Sequence, residues 1–428
     1  MTQLIQAVRG MNDILPPESF IWQHAETIFR RVLQGYGYRE IRLPILEKTE
    51  LFKRSIGEVT DIVEKEMYTF TDRNNDSLSL RPEGTACCVR AGIEHGLFFN
   101  QTQRLWYRGP FFRHERPQKG RYRQFHQCSA EVFGLPGPDI DAELICLTAA
   151  ILDKLGIRPY TTLKINSLGT VASRTQYRER LVHYFTQHQA DLDEDSLRRL
   201  EKNPLRILDS KNPELKTLLK NAPKLIEHLD QDSLIHFEKI QEYLAHSGIT
   251  FEIDTHLVRG LDYYTNTVFE WVTDQLGTQG TICAGGRYDG LVEQLGGKAT
   301  PAAGFSFGLE RTILLMQQSD HLPHIETGIH AYLITDSEAA FMAGFKLANY
   351  LRSKVHSLRL VLHCGGGLLK NQFKKADKSG ATYAIIIGEH ELKTHSCSLK
   401  SLREDIPQLT LYQDELAEYL KLKISRKG

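Results

Sequence analysis

The chain has 428 residues, which at about 150 residues per domain is room for two or three domains. Its 53 Lys+Arg balance 53 Asp+Glu, so no global field draws it to nucleic acid or membrane, and a nucleic-acid reading must rest on local clusters. Seven irregularly spaced cysteines without a C-x-x-C pair, no apolar run of membrane length and no apolar signal-peptide core argue against secreted and membrane classes. They leave cytoplasmic enzymes and binding proteins.

Apolar residues at helical spacing predict a helix over 18–34, ended by Gly35 and Gly37. YREIRLPILEKTELF follows as a strand whose Pro44 suggests an edge or interface position. Segments 67–81 and 104–134 read as strands, and 141–155 as a helix closed by Gly156. From 171 to 246 the chain is polar, broken by prolines and poor in strand candidates. Tyr177, Leu181, Tyr184, Phe185 and His188 share one helical face there, which predicts a helical insertion. Strand chemistry returns over 250–272 and is expected to carry Arg259, Asp262, Tyr263 and Tyr264; GGRYDG reads as a turn and a helix starts near Gly308. A linker is expected at 319–329. Beyond it HAYLITD, a helix at 337–353, LRLVLHC, a glycine turn, a helix at 368–378 and ATYAIIIG alternate, implying a separate α/β domain over 330–428.

The densest chemistry lies in RLWYRGPFFRHERPQKGRYRQFHQ. Arg104, Arg108, Arg113, Arg116, Lys119, Arg121 and Arg123 stand against Glu115 alone, interleaved with Tyr107, Phe111, Phe112, Tyr122 and Phe125. Arginine forks grip phosphate oxygens and aromatic faces stack on bases, so a nucleotide or polynucleotide site is favoured over a solvated hairpin. RPEGT offers a carboxylate and a hydroxyl on a glycine turn, a weak signal alone. AAGFSFGLERTILLM brings small residues to a helix start carrying Arg311. Between 345 and 378, eight cations face only Asp377, which points to a polyanion surface. GGRYDG is no dinucleotide fingerprint, no Walker lysine follows the glycines, and His321, His324 and His330 lack metal-ligand spacing.

In order along the chain, these blocks resemble the histidyl-tRNA synthetase family of class II aminoacyl-tRNA synthetases, bacterial type. YGYREIRLPILEKTELF resembles the class dimer-interface motif, FRHERPQKGRYRQFHQ the second motif and GFSFGLER the third; LVRGLDYYTNTVFEW and AGGRYDGLVEQLGG resemble the two histidine-specific blocks. The resemblance implies an α+β catalytic domain, an antiparallel sheet flanked by helices, built from 1–170 and 247–318. The insertion interrupts it, and the C-terminal domain would bind the anticodon. ATP with Mg2+, L-histidine and histidine tRNA would be the partners of a cytoplasmic homodimer with no membrane association. Arg113 would hold the α-phosphate, Glu115 would lie near the adenine and Arg121 near the γ-phosphate, with Phe125 and Arg311 around the adenine ring. Glu83, Thr85 and Gln127 would hold the histidine ammonium. Glu131 and Tyr264 would address the imidazole, with Tyr263 beside them, and Arg259 would bridge the histidine carboxylate and the α-phosphate. Arg116, Gln118 and Arg123 would meet the tRNA acceptor end, and Lys370 and Lys374 its anticodon end; metal ligands are not assigned. A non-catalytic regulatory paralogue that binds histidine is the alternative; such proteins lack the anticodon domain, so the C-terminal domain and the complete set of ATP residues count against it.

Overall fold

The computed structural model describes residues 4–57, 60–208, 210, 212–277, 280–319 and 328–425. Most of the expected linker, 320–327, lies outside them, with His321 and His324. The chain forms two compact units, divided between Pro323 and His324.

The first unit is built on an eight-stranded sheet. Arg39–Glu40, Gln103–Phe112, Gln124–Phe133, Ala302–Gly308, Thr281–Arg287, Thr265–Val272, Thr162–Ser167 and Glu252–Ile253 lie side by side in that order. The central pairings are antiparallel, as expected, but the two outermost strands each join in parallel, so the sheet is mixed. Strand alternation sends the two sets of side chains to opposite faces. On Gln124–Phe133, Cys128, Ala130 and Val132 enter a core with helices Glu18–Gly35, Pro138–Lys154, Gln231–His246 and Leu309–Gln318. Phe125, Gln127 and Ser129 on the same strand line a cleft on the other face. A buried lock ties helices to sheet: Asp141 accepts from Arg287 Nε at 3.1 Å, Arg287 Nη2 at 2.5 Å, Thr267 Oγ1 at 2.5 Å and His236 Nε2 at 2.9 Å. The Arg287 charge, fully buried, is matched there and by the carbonyls of Leu135 and Gly137.

Several local expectations need correction. YREIRLPILEKTELF is not one strand: it splits into Arg39–Glu40 and Leu46–Lys48, and Thr49–Ile56 is an amphipathic helix burying Phe52 and Ile56. Arg259, Asp262, Tyr263 and Tyr264 sit in an irregular loop, with a turn at Asp262 and Tyr263, ahead of strand Thr265–Val272 and not within a strand. Gly285, Gly286 and Arg287 of GGRYDG close strand Thr281–Arg287, so only the tail of that block turns. The basic block also divides by alternation. Arg104 and Arg108 leave on the helix side, paired with Glu143 and Glu26, while Arg113 and Arg121 line the cleft.

Residues 171–246 fold as helices Val171–Gln187, Glu194–Lys202, Lys216–Lys220 and Gln231–His246 with short single turns, and no strand occurs among the described residues. Tyr177, Leu181 and Phe185 are fully buried on the face that their spacing marks. In the second unit a five-stranded sheet runs Leu360–Leu362, Ala331–Thr335, Tyr383–Ile387, Cys397–Ser401 and Leu409–Leu411; the first three are parallel and the last two antiparallel. Helices Glu338–Lys354, Leu369–Lys378 and Gln413–Ser425 pack about it.

Candidate active site

The cleft is assembled from five chain segments. Turn 82–84 and helix Thr85–Glu94 form one wall, and strands Gln103–Phe112 and Gln124–Phe133 with the turn between them form the floor. Segment 259–264, strand Thr281–Arg287 and the start of helix Leu309–Gln318 complete it. Glu83, Thr85, Arg113, Glu115, Arg121, Phe125, Gln127, Arg259, Tyr263, Tyr264 and Arg311 are thus brought together.

One group of residues is cationic. Arg113 donates from Nε to the Pro82 carbonyl at 2.9 Å and lies over the Phe125 ring at 5.3 Å. Arg311 donates from Nε to the Gly120 carbonyl at 3.0 Å and from Nη1 to the Thr281 carbonyl at 2.9 Å, so helix and floor are pinned together. Burial lowers both pKa values, and Arg113 and Arg121 lower that of Arg311 further. Cations held in a desolvated cleft favour the binding of anions. Arg121 pairs with Glu115. Arg259 pairs with Glu270, whose other oxygen accepts from Thr281 Oγ1 at 3.1 Å. Burial alone would lower the Arg259 pKa; Glu270 and the two tyrosines outweigh it, and the net direction is up. Its Nε is buried with no hydrogen-bond partner among the described residues.

The other group is polar and aromatic. Glu83 opens helix Thr85–Glu94, accepting from the Thr85 amide at 2.6 Å and the Ala86 amide at 2.9 Å, a favourable place for a carboxylate. Burial raises its pKa against those bonds. Tyr263 and Tyr264 stack obliquely at 4.8 Å, and the Arg259 guanidinium lies 5.3 Å from the Tyr264 ring centre. Glu131 stands behind the cleft wall, 1% exposed. Its Oε1 accepts from Thr85 Oγ1 at 2.9 Å and from the Tyr107 hydroxyl at 2.7 Å, and its Oε2 accepts from Tyr288. Burial outweighs these three donors and pushes its pKa up to about 7. A Cβ at Gly304 would fall 1.8 Å from Glu131 Oε2, and one at Gly84 would fall 2.3 Å from the Tyr107 ring, so both glycines make room for this cluster.

Arg116, Gln118 and Arg123 do not line the cleft; they belong to the turn that joins its two floor strands. Arg116 and Gln118 are exposed, while Arg123 donates to the Glu115 carbonyl at 3.2 Å. Lys370 and Lys374 lie in the second unit, exposed on helix Leu369–Lys378. Tyr107, grouped in the sequence with base-stacking aromatics, is instead buried and holds Glu131; sequence reasoning missed Tyr288, which also holds Glu131, and the roles of Glu270 and Glu310. Glu310 accepts from the His126 amide with both oxygens at 2.9 Å. A lone carboxylate within the apolar strand TNTVFEWV was the available signal for Glu270. All seven cysteines are free, and Cys283, in the cleft floor, has its thiol pushed far up by burial. Among the described residues no group of three or more His, Cys, Asp or Glu is arranged to hold a metal ion.

The profile described as histidyl-tRNA synthetase matches residues 10–312, which include every cleft residue named above. The chain belongs to the histidyl-tRNA synthetase family. A second profile, the anticodon binding domain, matches 331–423 of this family member. The structure of apo histidyl-tRNA synthetase from S. aureus is similar at 35% identity and a TM-score of 0.82, covering 98% of this chain and 100% of that one. Histidyl-tRNA synthetase from Nostoc sp. shares the fold at 21% identity, TM-score 0.71, with 98% and 100% of the two chains covered. So does a protein from Bacillus halodurans titled an ATP phosphoribosyltransferase regulatory subunit/histidyl-tRNA synthetase, at 20% identity, TM-score 0.65, covering 91% and 99%; that match reaches into the second unit, so the expectation that such proteins lack it does not hold for this neighbour. No described helix is long and apolar enough to cross a membrane.

Proposed function

We propose that this synthetase-family chain is an active histidine–tRNA ligase. The observation that carries the reading is a single cleft in which a desolvated arginine group adjoins a tyrosine and glutamate pocket suited to a small polar amino acid. An oxygen of the histidine carboxylate attacks the ATP α-phosphorus, the bond to the β-phosphate breaks, and histidyl-adenylate and pyrophosphate form. A terminal ribose hydroxyl of histidine tRNA then attacks the acyl carbon and AMP leaves.

The first step brings two anions together. Arg113 at the α-phosphate and Arg259 between it and the carboxylate would offset that repulsion and stabilise the transition state; positioning does the rest. Arg121 would turn from Glu115 to the γ-phosphate, and Phe125 and Arg311 would bracket the adenine beside Glu115. Glu83, Thr85 and Gln127 would receive the ammonium. Glu131 and Tyr264 would meet the imidazole nitrogens, Tyr263 packing alongside. A pocket of this kind rejects apolar amino acids strongly, since they leave its polar groups unpaired. Magnesium, which takes one or two carboxylates together with phosphate oxygens, suits a cleft whose wall holds Glu270 and Glu310; it would neutralise phosphate charge.

The same reading assigns 1–170 with 247–318 to the catalytic core, 171–246 to an insertion, 319–329 to a linker and 330–428 to anticodon binding. Arg116, Gln118 and Arg123 would meet the acceptor end, and Lys370 and Lys374 the anticodon arm. A homodimer through the Pro44 segment is supported by exposed Ile45, Leu46 and Phe70 on or beside the small sheet of Leu46–Lys48, Ser77–Leu80 and Thr69–Thr71. The working compartment would be the cytoplasm. Histidine-dependent exchange of pyrophosphate into ATP tests the proposal. Its absence in folded protein would favour the regulatory, histidine-binding reading.

A further inference from the structure

The residues that lead into the helical segment 171–246 and the first turn of its last helix are both fastened to Asn266, and its first helix to Tyr264. On the entry side, the Leu168 amide donates to the Asn266 carbonyl at 2.6 Å and the Asn266 amide donates to the Gly169 carbonyl at 2.9 Å. Asn266 adopts a left-handed backbone, φ 47°, at this double contact. On the exit side, Ser233 of helix Gln231–His246 donates to Asn266 Oδ1 at 3.1 Å. Asp230 joins the two sides by accepting from Thr170 Oγ1 at 2.9 Å and Ser173 Oγ at 2.6 Å. The segment also reaches further up the loop, where Asn203 donates to Asp262 Oδ1 at 2.9 Å.

One member of this joint touches the amino-acid pocket's own backbone. Arg174, on the first turn of helix Val171–Gln187, donates from Nη1 to the carbonyl of Tyr264 at 2.5 Å. Tyr264 is 6% exposed and its ring lines the cleft, so a shift of that peptide moves the ring and its neighbour Tyr263 together. Of the residues proposed for ATP, Arg113, Glu115, Arg121, Phe125 and Arg311 stand on other segments, while Arg259 shares the loop with Tyr264. We propose that Arg174 is a positioning residue that seats Tyr264 and couples the helical segment to the amino-acid pocket. It rests on the histidine-ligase reading and gives the segment a function inside that site. The coupling runs both ways: whatever shifts the segment changes histidine affinity, and histidine steadies the segment.

The test is Arg174→Met, which keeps the aliphatic stem and removes the donors. The histidine KM in pyrophosphate exchange should rise about tenfold, the size of one lost charge-assisted hydrogen bond, with the ATP KM within about twofold. Arg174→Lys should recover part of the loss, and Arg180→Ala, exposed on the same helix, should keep parental constants. In the parental protein, histidine alone should slow hydrogen exchange at the amides of Leu168 and Arg174. A folded Arg174→Met protein with a parental histidine KM overturns the inference. If that variant does not fold, unchanged exchange at those amides on adding histidine overturns it instead. The parental exchange activity reports separately on the ligase reading, so the two failures are distinguishable.

Discussion

Glu131→Gln separates what the carboxylate does for the fold from what it does for the substrate. Folding moves its pKa from an ordinary 4.5 to about 7, because the group is almost wholly removed from water. The folded state therefore favours the protonated form. Relative to the unfolded chain, the resulting stability is fully present below the unfolded value and is lost as pH rises through about 7. Two and a half units correspond to about 3 kcal/mol. Glutamine carries no such penalty, although its amide must reorient one of the three hydroxyls that now donate to Glu131, which leaves a net gain of about 1–3 kcal/mol at pH 8. Urea unfolding at pH 5 and pH 8 measures this. The parental protein should lose stability between the two relative to the variant. Pyrophosphate exchange should move the other way: kcat/KM for histidine falls by roughly 10- to 100-fold in the variant at pH 8, with the ATP KM unchanged. Parallel stability profiles would refute the burial argument, and equal losses toward ATP and histidine would refute the placement at the imidazole.

Arg259→Ala should lower adenylate formation by about 10²–10³-fold, measured by exchange, and should also lower stability by about 1–3 kcal/mol because Glu270 is left buried without its charge partner. Removing Glu270 as well should recover stability but not activity. Arg287→Ala should cost roughly 3–5 kcal/mol in urea unfolding by stranding Asp141 in the core, with much of the loss returned by Asp141→Asn in the same chain. Replacing Lys370, Lys374, Lys375 and Lys378 by alanine should leave pyrophosphate exchange near normal, raise the tRNA KM, and flatten its salt dependence by roughly 0.7–0.9 in log K for each phosphate no longer neutralised. An unchanged salt slope would mark those lysines as a solvated face.

Periodicity disclosed most elements because burial follows it. Tyr177, Leu181 and Phe185 declare their helix, and the odd residues from Phe125 to Glu131 declare the cleft side of their strand. Where the chain leaves regular structure the signal fades. Arg259, Tyr263 and Tyr264 sit in a loop held by long-range bonds such as Arg174 to Tyr264, which no local pattern encodes. The roles of Tyr107 and Tyr288 were hidden for a different reason: a tyrosine in a strand or turn looks like core or a stacking ring until its hydroxyl is seen meeting a carboxylate from 24 or 157 residues away. Alternation sets Arg104 and Arg108 on one face and Arg113 on the other without saying which face is the cleft, which is why all were grouped with Arg121. Glu26 and Glu143, on helices behind the sheet, decide it.

Strand Gln124–Phe133 has a further consequence for how specificity can change. It carries Phe125, proposed for the adenine, and Glu131, proposed for the imidazole, on the same side, with Gln127 and Ser129 between them. At about 3.4 Å per residue the two ends stand about 20 Å apart, a distance fixed by the backbone repeat rather than by side-chain length. The strand is therefore a ruler with a nucleotide mark and an amino-acid mark. Substitution at one mark leaves the other in place, whereas a single inserted residue between them would turn one end of the ruler to face the helices. Amino-acid choice can drift by point changes around position 131 while ATP geometry is conserved, but insertions and deletions within the strand are closed to that drift.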